Sequence, residues 1–432
     1  MNSYLIKGST LSDGKIKDVL ITNGVIEEIA DEITSKAQTI DGSGFILLSG
    51  FVDMHTHLRE PGYETSETVL TGSKAAAKGG YTGINAMANT NPVADNAAVV
   101  EQVAALGKKA GYVEVQPIGA VTVGLEGEQL ADLGKMNKSV ANVRVFSDDG
   151  KCVSDSLLMR RALEYVKSFG GTIAQHAQDP ALTKDAQMNE GALSVQLGLA
   201  GWPSVAETSI VARDVLLAEK TGSKLHICHV STKETVDVIR WAKARGIAVT
   251  AEVTPHHLLL TEDLVADYNA IFKVNPPLRT EQDVLAVRQA LADGTIDIVA
   301  TDHAPHPAES KDCEWAAAAN GMIGLETAAQ VVISTMVNPG LISWQRFEDV
   351  ISIAPAKISG MSNQGCGVKV GAVANLVLVD PKAEVTVSSE SESLSSNNPY
   401  IGMKLSGSVR HVFYRGRQTV SNGKVVDLGE GN

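Results

Sequence analysis

Between residues 50 and 303 the chain alternates short apolar runs with longer segments rich in Ala, Lys and Glu. Eight runs have the length and texture of buried strands: "GFVDMHTH", "TGINAMAN", "VEVQPIGAV", "NVRVFSDD", "GTIAQHAQD", "KLHICHVST", "IAVTAEVT" and "IDIVATDH". Strand and helix in steady alternation build a parallel sheet, because each helix returns the chain to the edge where the next strand begins. Eight such units are what a (β/α)8 TIM-type barrel requires, and in that fold the C-terminal ends of the strands converge on one rim. Polar residues collect at those ends here. His55 and His57 follow the first strand, Asn89 the second, Asp148 and Asp149 the fourth, His176 the fifth, His229 the sixth and Asp302 the eighth.

The flanks have a different texture. "YLIKGSTL", "VLITNGVIEEIA" and "FILLSG" at the start, and "GAVANLVLVD", "SGSVRHVFYRGR" and "TVSNGKVV" at the end, read as short strands with Gly and Asp turns. "SSESESLSSNNPY" reads as a polar loop. The expectation is a small β-sandwich domain formed from residues 1–50 and 365–432, with a catalytic barrel over residues 51–364. A chain of 432 residues is long enough for both.

Charge narrows the partners. With 50 acidic against 37 basic residues the net charge is -13, which argues against nucleic acid or anionic membrane as a ligand. An anionic small-molecule substrate would need a local cationic pocket. Cys152, Cys228, Cys313 and Cys366 are widely spaced and form no C-x-x-C pair, so neither a disulfide framework nor a thiolate metal site is expected. The start, "MNSYLIKGSTLSDGK", lacks the apolar core of a signal peptide, and no apolar run reaches membrane-spanning length. A soluble, cytoplasmic protein is the expectation.

In an extended chain residues two apart share a face, so His55, His57 and Arg59 project together. Imidazole and carboxylate suit zinc and similar divalent cations when thiolates are not used. The rim offers His55, His57, His176, His229, Asp302 and one of Asp148 and Asp149, enough for two metal ions and a bridging carboxylate. A lone H-x-H is more often structural, and "SDDG" alone reads as a turn. Their coincidence at successive strand ends is what points to a metal site, and to hydrolysis. His226 lies inside its strand, facing away from His229, and reads as structural. His256 and His257 read as supporting or structural residues, and His411 as a surface residue of the terminal β segment.

Taken together, "GFVDMHTHLREPGYETSETVLTGSKAAAKGGYT", "MANTNPVADN", "FSDDG", "IAQHAQD", "HICHVST", "VNPPLR" and "IVATDHAPH" resemble the long, type I bacterial dihydroorotases of the amidohydrolase superfamily. The resemblance implies reversible, metal-dependent interconversion of N-carbamoyl-L-aspartate and L-dihydroorotate in pyrimidine biosynthesis. It implies that His55, His57 and Asp302 hold one zinc ion, that His176 and His229 hold a second, and that Asp149 bridges them. Asp302 also becomes the catalytic proton shuttle. Substrate contacts fall on His57, Arg59, Asn89, Asn275, His306, Asn320 and Gly321. Asn320 stands where many relatives carry an aromatic residue, and Ala88 replaces a frequent proline. A homodimer is the family expectation, and association with aspartate transcarbamoylase stays open. Two other readings compete. Hydantoinases, dihydropyrimidinases and allantoinases bridge their metals with a carboxylated lysine, and Lys151 lies near Asp149, although on the loop beyond the turn. A catalytically silent scaffold for the transcarbamoylase would be expected to lack some of the six ligands, all of which are present.

Overall fold

Every residue of the strand Phe51–Thr56 is buried, as is every residue of Tyr81–Ala86 and Thr172–Gln175. Strands covered on both faces are the mark of parallel sheet packed between helices. The computed structural model describes residues 3–429. In chain order its strands are β1 Tyr4–Leu11, β2 Ile16–Thr22, β3 Val25–Ala30, β4 Gln38–Asp41, β5 Ile46–Ser49, β6 Phe51–Thr56, β7 Tyr81–Ala86, β8 Glu114–Pro117, β9 Val145–Phe146 and β10 Thr172–Gln175. There follow β11 Met188–Asn189, β12 Gly201–Trp202, β13 Lys224–Ile227, β14 Val249–Val253, β15 Ile298–Val299, β16 Leu376–Thr386, β17 Lys404–Tyr414, β18 Arg417–Ser421 and β19 Lys424–Val425.

Each of the eight apolar runs contains one of these strands. β6, β7 and β8 pair in parallel, and so do β9, β10, β13, β14 and β15. Two isolated parallel bridges join the groups: Gly119 with Phe146 beyond β8, and Thr56 with His303 beyond β15. Helices separate consecutive parallel strands throughout, and their ends follow from local chemistry. Ser156–Lys167 buries Leu158, Met159, Ala162, Leu163 and Val166 on one stripe, and Asp155 caps it by accepting from Leu158 N at 2.7 Å. Leu163 is fully buried, so Leu163→Ala would cost about 2–5 kcal/mol through lost burial and a cavity.

Both ends of the chain enter one hydrogen-bonded sheet in the order β19-β18-β17-β16-β5-β1-β2-β3, with β4 on β1. The termini meet where β5 pairs antiparallel with β16, Leu47 opposite Leu378 and Leu48 opposite Val377. Tyr4, Ile6, Val19, Ile21, Leu47, Leu376 and Phe413 form a shared core, with the rings of Tyr4 and Phe413 edge-on at 5.1 Å. The sheet passes directly into β6 through Gly50, where a Cβ would lie 2.2 Å from Thr82 Oγ1 and no larger residue fits. His411, expected at the surface, is only 6 % exposed. It lies in β17, which has β16 and β18 on either side, and its Nδ1 accepts from Gln418 Nε2 at 3.0 Å. Among the described residues no helix is long and apolar enough to cross a membrane.

Candidate metal centre

Asp149, three residues beyond the short β9, is the hub of the site. Its Oδ1 lies 3.3 Å from His55 Nε2, 3.3 Å from His176 Nδ1 and 3.4 Å from His229 Nε2, while its Oδ2 lies 3.3 Å from His57 Nε2. Asp302 completes one side, 3.1 Å from His57 Nε2 and 3.4 Å from His55 Nε2. Two groups able to hold a cation therefore overlap: His55, His57, Asp149 and Asp302, and Asp149, His176 and His229, all buried. Asp148 points elsewhere, accepting from Val121 N at 2.8 Å and Thr122 N at 3.0 Å, which decides between the two neighbouring carboxylates. Lys151 is exposed.

Which ring nitrogen faces the hub is set from behind. Nδ1 of His55 lies 2.6 Å from Glu252 Oε1 and Nδ1 of His57 lies 2.9 Å from Asn89 Oδ1, so each donates there and turns a lone pair on Nε2 inward. His176 is held the other way round, with Nε2 donating to Gln178 Oε1 at 2.8 Å and Nδ1 facing inward. His55 Nε2 is buried without any hydrogen-bond partner. An orphaned lone pair beside two carboxylates is the environment a cation satisfies, and the imidazole and carboxylate donor set suits zinc and related ions.

Electrostatics agree. Burial pushes the Asp149 carboxyl up, but His55, His176 and His229 outweigh it and bring it well below the usual range. For Asp302 burial is again outweighed, by His55 and His57, leaving the carboxyl at about 2. Arg59, His229 and Asp302 all have positive φ, at 62°, 33° and 47°. Non-glycine residues held there cost about 1–3 kcal/mol each, a strain that gathers where side chains must be aimed.

Beside the cluster a cleft is lined by His57, Arg59, Asn89, Asp149, His176, Asn275, Asp302, His306, Asn320 and Gly321. All seven residues expected to contact substrate are there. Arg59 Nε donates to Pro305 O at 3.1 Å, and burial lowers the guanidinium to about 10, still charged at neutral pH. Asn275 donates to Gln178 at 3.0 Å and leaves its buried Oδ1 without a partner. The Asn320 carbonyl accepts from His306 Nε2 at 2.8 Å, so the contact at this position is made by its backbone. At Gly321, φ is 139° and a Cβ would meet that of Ala304 at 2.8 Å. His256 and His257 are buried outside the cluster; His257 Nδ1 lies 2.8 Å from Thr254 Oγ1, whereas His256 Nε2 has no partner.

Sequence reasoning passes over Glu252 and Gln178, while His226, read as structural, stands outside the cluster in a supporting place. His226 Nε2 donates to the second oxygen of Glu252 at 2.9 Å, so this histidine backs the carboxylate that backs His55. The available signal was an acid inside the buried run of β14, where an unpaired charge would be costly.

Histidines and aspartates gathered around one shared carboxylate, at the loop-bearing ends of parallel strands, define a metal-dependent hydrolase of the amidohydrolase kind. Residues 44–235 match the family model described as dihydro-orotase-like. The chain is 62 % identical to a dihydroorotase of Leifsonia xyli, covering 98 % of both proteins, and 60 % identical to one from Streptomyces coelicolor over 99 % of this chain and all of that one. The chain belongs to the dihydroorotase family. Among solved structures it is similar to the L-hydantoinase of Arthrobacter aurescens, with a TM-score of 0.88 at 24 % identity over 99 % of this chain and 98 % of that one, a likeness of fold alone. A dihydropyrimidinase from Brevibacillus agri gives 0.83 at 25 % identity over 98 % and 96 %.

Proposed function

We propose that this chain is a dihydroorotase, interconverting N-carbamoyl-L-aspartate and L-dihydroorotate in pyrimidine biosynthesis. Beyond family membership, the observation that carries the reading is one cleft holding both the Asp302 and imidazole cluster and Arg59, Asn89, Asn275 and His306. In a chain of net charge -13 this is where an anionic substrate finds cationic and amide donors.

His55, His57 and Asp302 would hold one divalent cation and His176 and His229 another, with Asp149 shared. Bound there, two ions, zinc by the nature of the donors, supply an acidified water and a polarised carbonyl. Arg59 grips the ring carboxylate, and Asn89, Asn275 and His306 orient the ring. In hydrolysis Asp302 accepts a proton from the attacking water and passes it to the ring nitrogen as the C–N bond breaks, while the hydroxyl stays on the carbonyl carbon. In closure it takes the proton from the carbamoyl nitrogen. Closure consumes the side-chain carboxylate and a proton, so low pH favours the ring and high pH the open form.

The same reading takes the eight parallel strands as a closed (β/α)8 barrel over residues 51–364, a reading supported by the Gly119–Phe146 and Thr56–His303 bridges. It takes the terminal sheet as folded into a small β-sandwich from residues 1–50 and 365–432. The enzyme would be cytoplasmic and homodimeric, and co-purification would test for a complex with aspartate transcarbamoylase.

The test is to assay purified protein against dihydroorotate, carbamoyl aspartate, hydantoin, dihydrouracil and allantoin, with metal content measured on the same sample before and after chelation. Turnover of the first two only, lost with the metal, is expected. Preference for hydantoin or dihydrouracil, or turnover that survives chelation, overturns the reading.

A further inference from the structure

Residues 391–397 lie far along the chain from the cluster, in the connection between β16 and β17, and their burial runs against the usual rule. Leu394 is 54 % exposed, while Ser393, Ser395 and Asn397 are 8 %, 4 % and 2 % exposed. Polar residues two apart thus point inward, and buried polar groups are retained where they make specific bonds. Ser391 Oγ and Glu392 N donate to Glu326 Oε1 at 2.6 and 2.7 Å, Ser393 Oγ donates to Glu67, and Ser395 Oγ donates to Ser66 O at 2.7 Å. The segment is strapped along the loops that follow β6 and β15.

Asn397 ends the strap at the cleft. Its Nδ2 donates to Ala304 O at 2.9 Å and to Gly321 O at 3.1 Å, and its Oδ1 accepts from His306 N at 3.2 Å. Its own carbonyl accepts from Ile323 N at 3.1 Å. A single planar amide therefore ties the backbone carrying His306 to the backbone of Gly321, two residues that line the cleft. No carboxylate, hydroxyl or aliphatic side chain of that size offers two donors and an acceptor in one plane.

We propose that Asn397 is a positioning residue for substrate binding: it fixes the spacing between His306 and Gly321 without touching substrate. This rests on the dihydroorotase reading above. Because the amide lies outside the imidazole cluster, its loss falls on KM rather than on kcat or metal content.

The test compares Asn397→Ala and Asn397→Asp with wild type and with Ser396→Ala at the exposed neighbouring position, measuring kcat and KM in both directions, metal content and Tm. Asn397→Asp keeps the size and the acceptor but loses both donors, so it reads the role even where the alanine variant folds poorly. KM raised at least tenfold for both dihydroorotate and carbamoyl aspartate in Asn397→Asp, with kcat within threefold and metal content unchanged, is the expected result. KM within twofold of an active wild type, or a loss confined to kcat and metal content, overturns the role of Asn397 alone. A wild type inactive on both compounds overturns the functional reading itself, and this role with it.

Discussion

Glu252 Oε1 lies 2.6 Å from Nδ1 of His55, both groups fully enclosed. The same carboxylate takes His226 on its other oxygen and the His229 backbone N–H at 3.2 Å, so one side chain braces residues proposed for both cations. Replacing it as Glu252→Gln should weaken metal binding about 10- to 100-fold, the range found when a partner behind a ligating histidine is lost. Competition with a chromogenic chelator measures this, and unchanged affinity would mean that His55 is held without Glu252.

Asp302→Asn removes the proton carrier but keeps a side chain of the same shape. Turnover in both directions should fall at least ~100-fold, the lower bound usual for general acid–base groups. Bound metal should decrease much less, because His55, His57 and Asp149 remain. Near-normal kcat in this variant would remove Asp302 from the mechanism.

Arg59→Met deletes a half-buried cation beside His306. A charge-assisted contact is worth about 1.5–3 kcal/mol, or roughly a 10- to 150-fold rise in KM. Steady-state kinetics with both substrates decides the matter: if KM does not move, the guanidinium serves only the Pro305 carbonyl.

A pH effect on stability should come from Asp214, whose carboxylate accepts from Gln175 Nε2 at 2.8 Å and is not among the cluster's own groups. Burial raises its carboxyl from 3.8 to about 6 against the opposing pull of Arg213 and Gln175. The folded protein then holds a proton that the unfolded chain has already released, so this group's contribution falls as pH rises from about 4 to 6 and is fully present below that window. At roughly 1.4 kcal/mol per pH unit the loss approaches ~3 kcal/mol. Denaturant unfolding at pH 4 to 7 should show a steeper decline for wild type than for Asp214→Asn; parallel curves would show that Asp214 ionises normally.

Local rules made part of the site readable. Strand alternation brought His55 and His57 together, and each further ligand came at the end of an apolar run, where chain direction alone fixes the rim. Choosing Asp149 over Asp148 needed family likeness, because two adjacent acids in a turn carry no local sign of which one faces inward. Glu252 was missed because its value depends on His55 and His226 crossing from other strands, and His411 because the strands flanking β17 decide whether a position is enclosed. Asn397 sits in a Ser- and Asn-rich stretch whose composition speaks for solvent, and only the carbonyls of Ala304 and Gly321 give it a reason to be inside.

The pairing of β5 with β16 has a consequence for synthesis. Ser49 leaves the ribosome early, yet its partner Leu376 is made only near the end, so the edge of β5 must wait through most of translation with its backbone groups open. Long-range pairing of this kind is slow to form, and an unfilled edge invites strands from other chains. Nascent or prematurely terminated chains are therefore the form of this protein most in need of a chaperone.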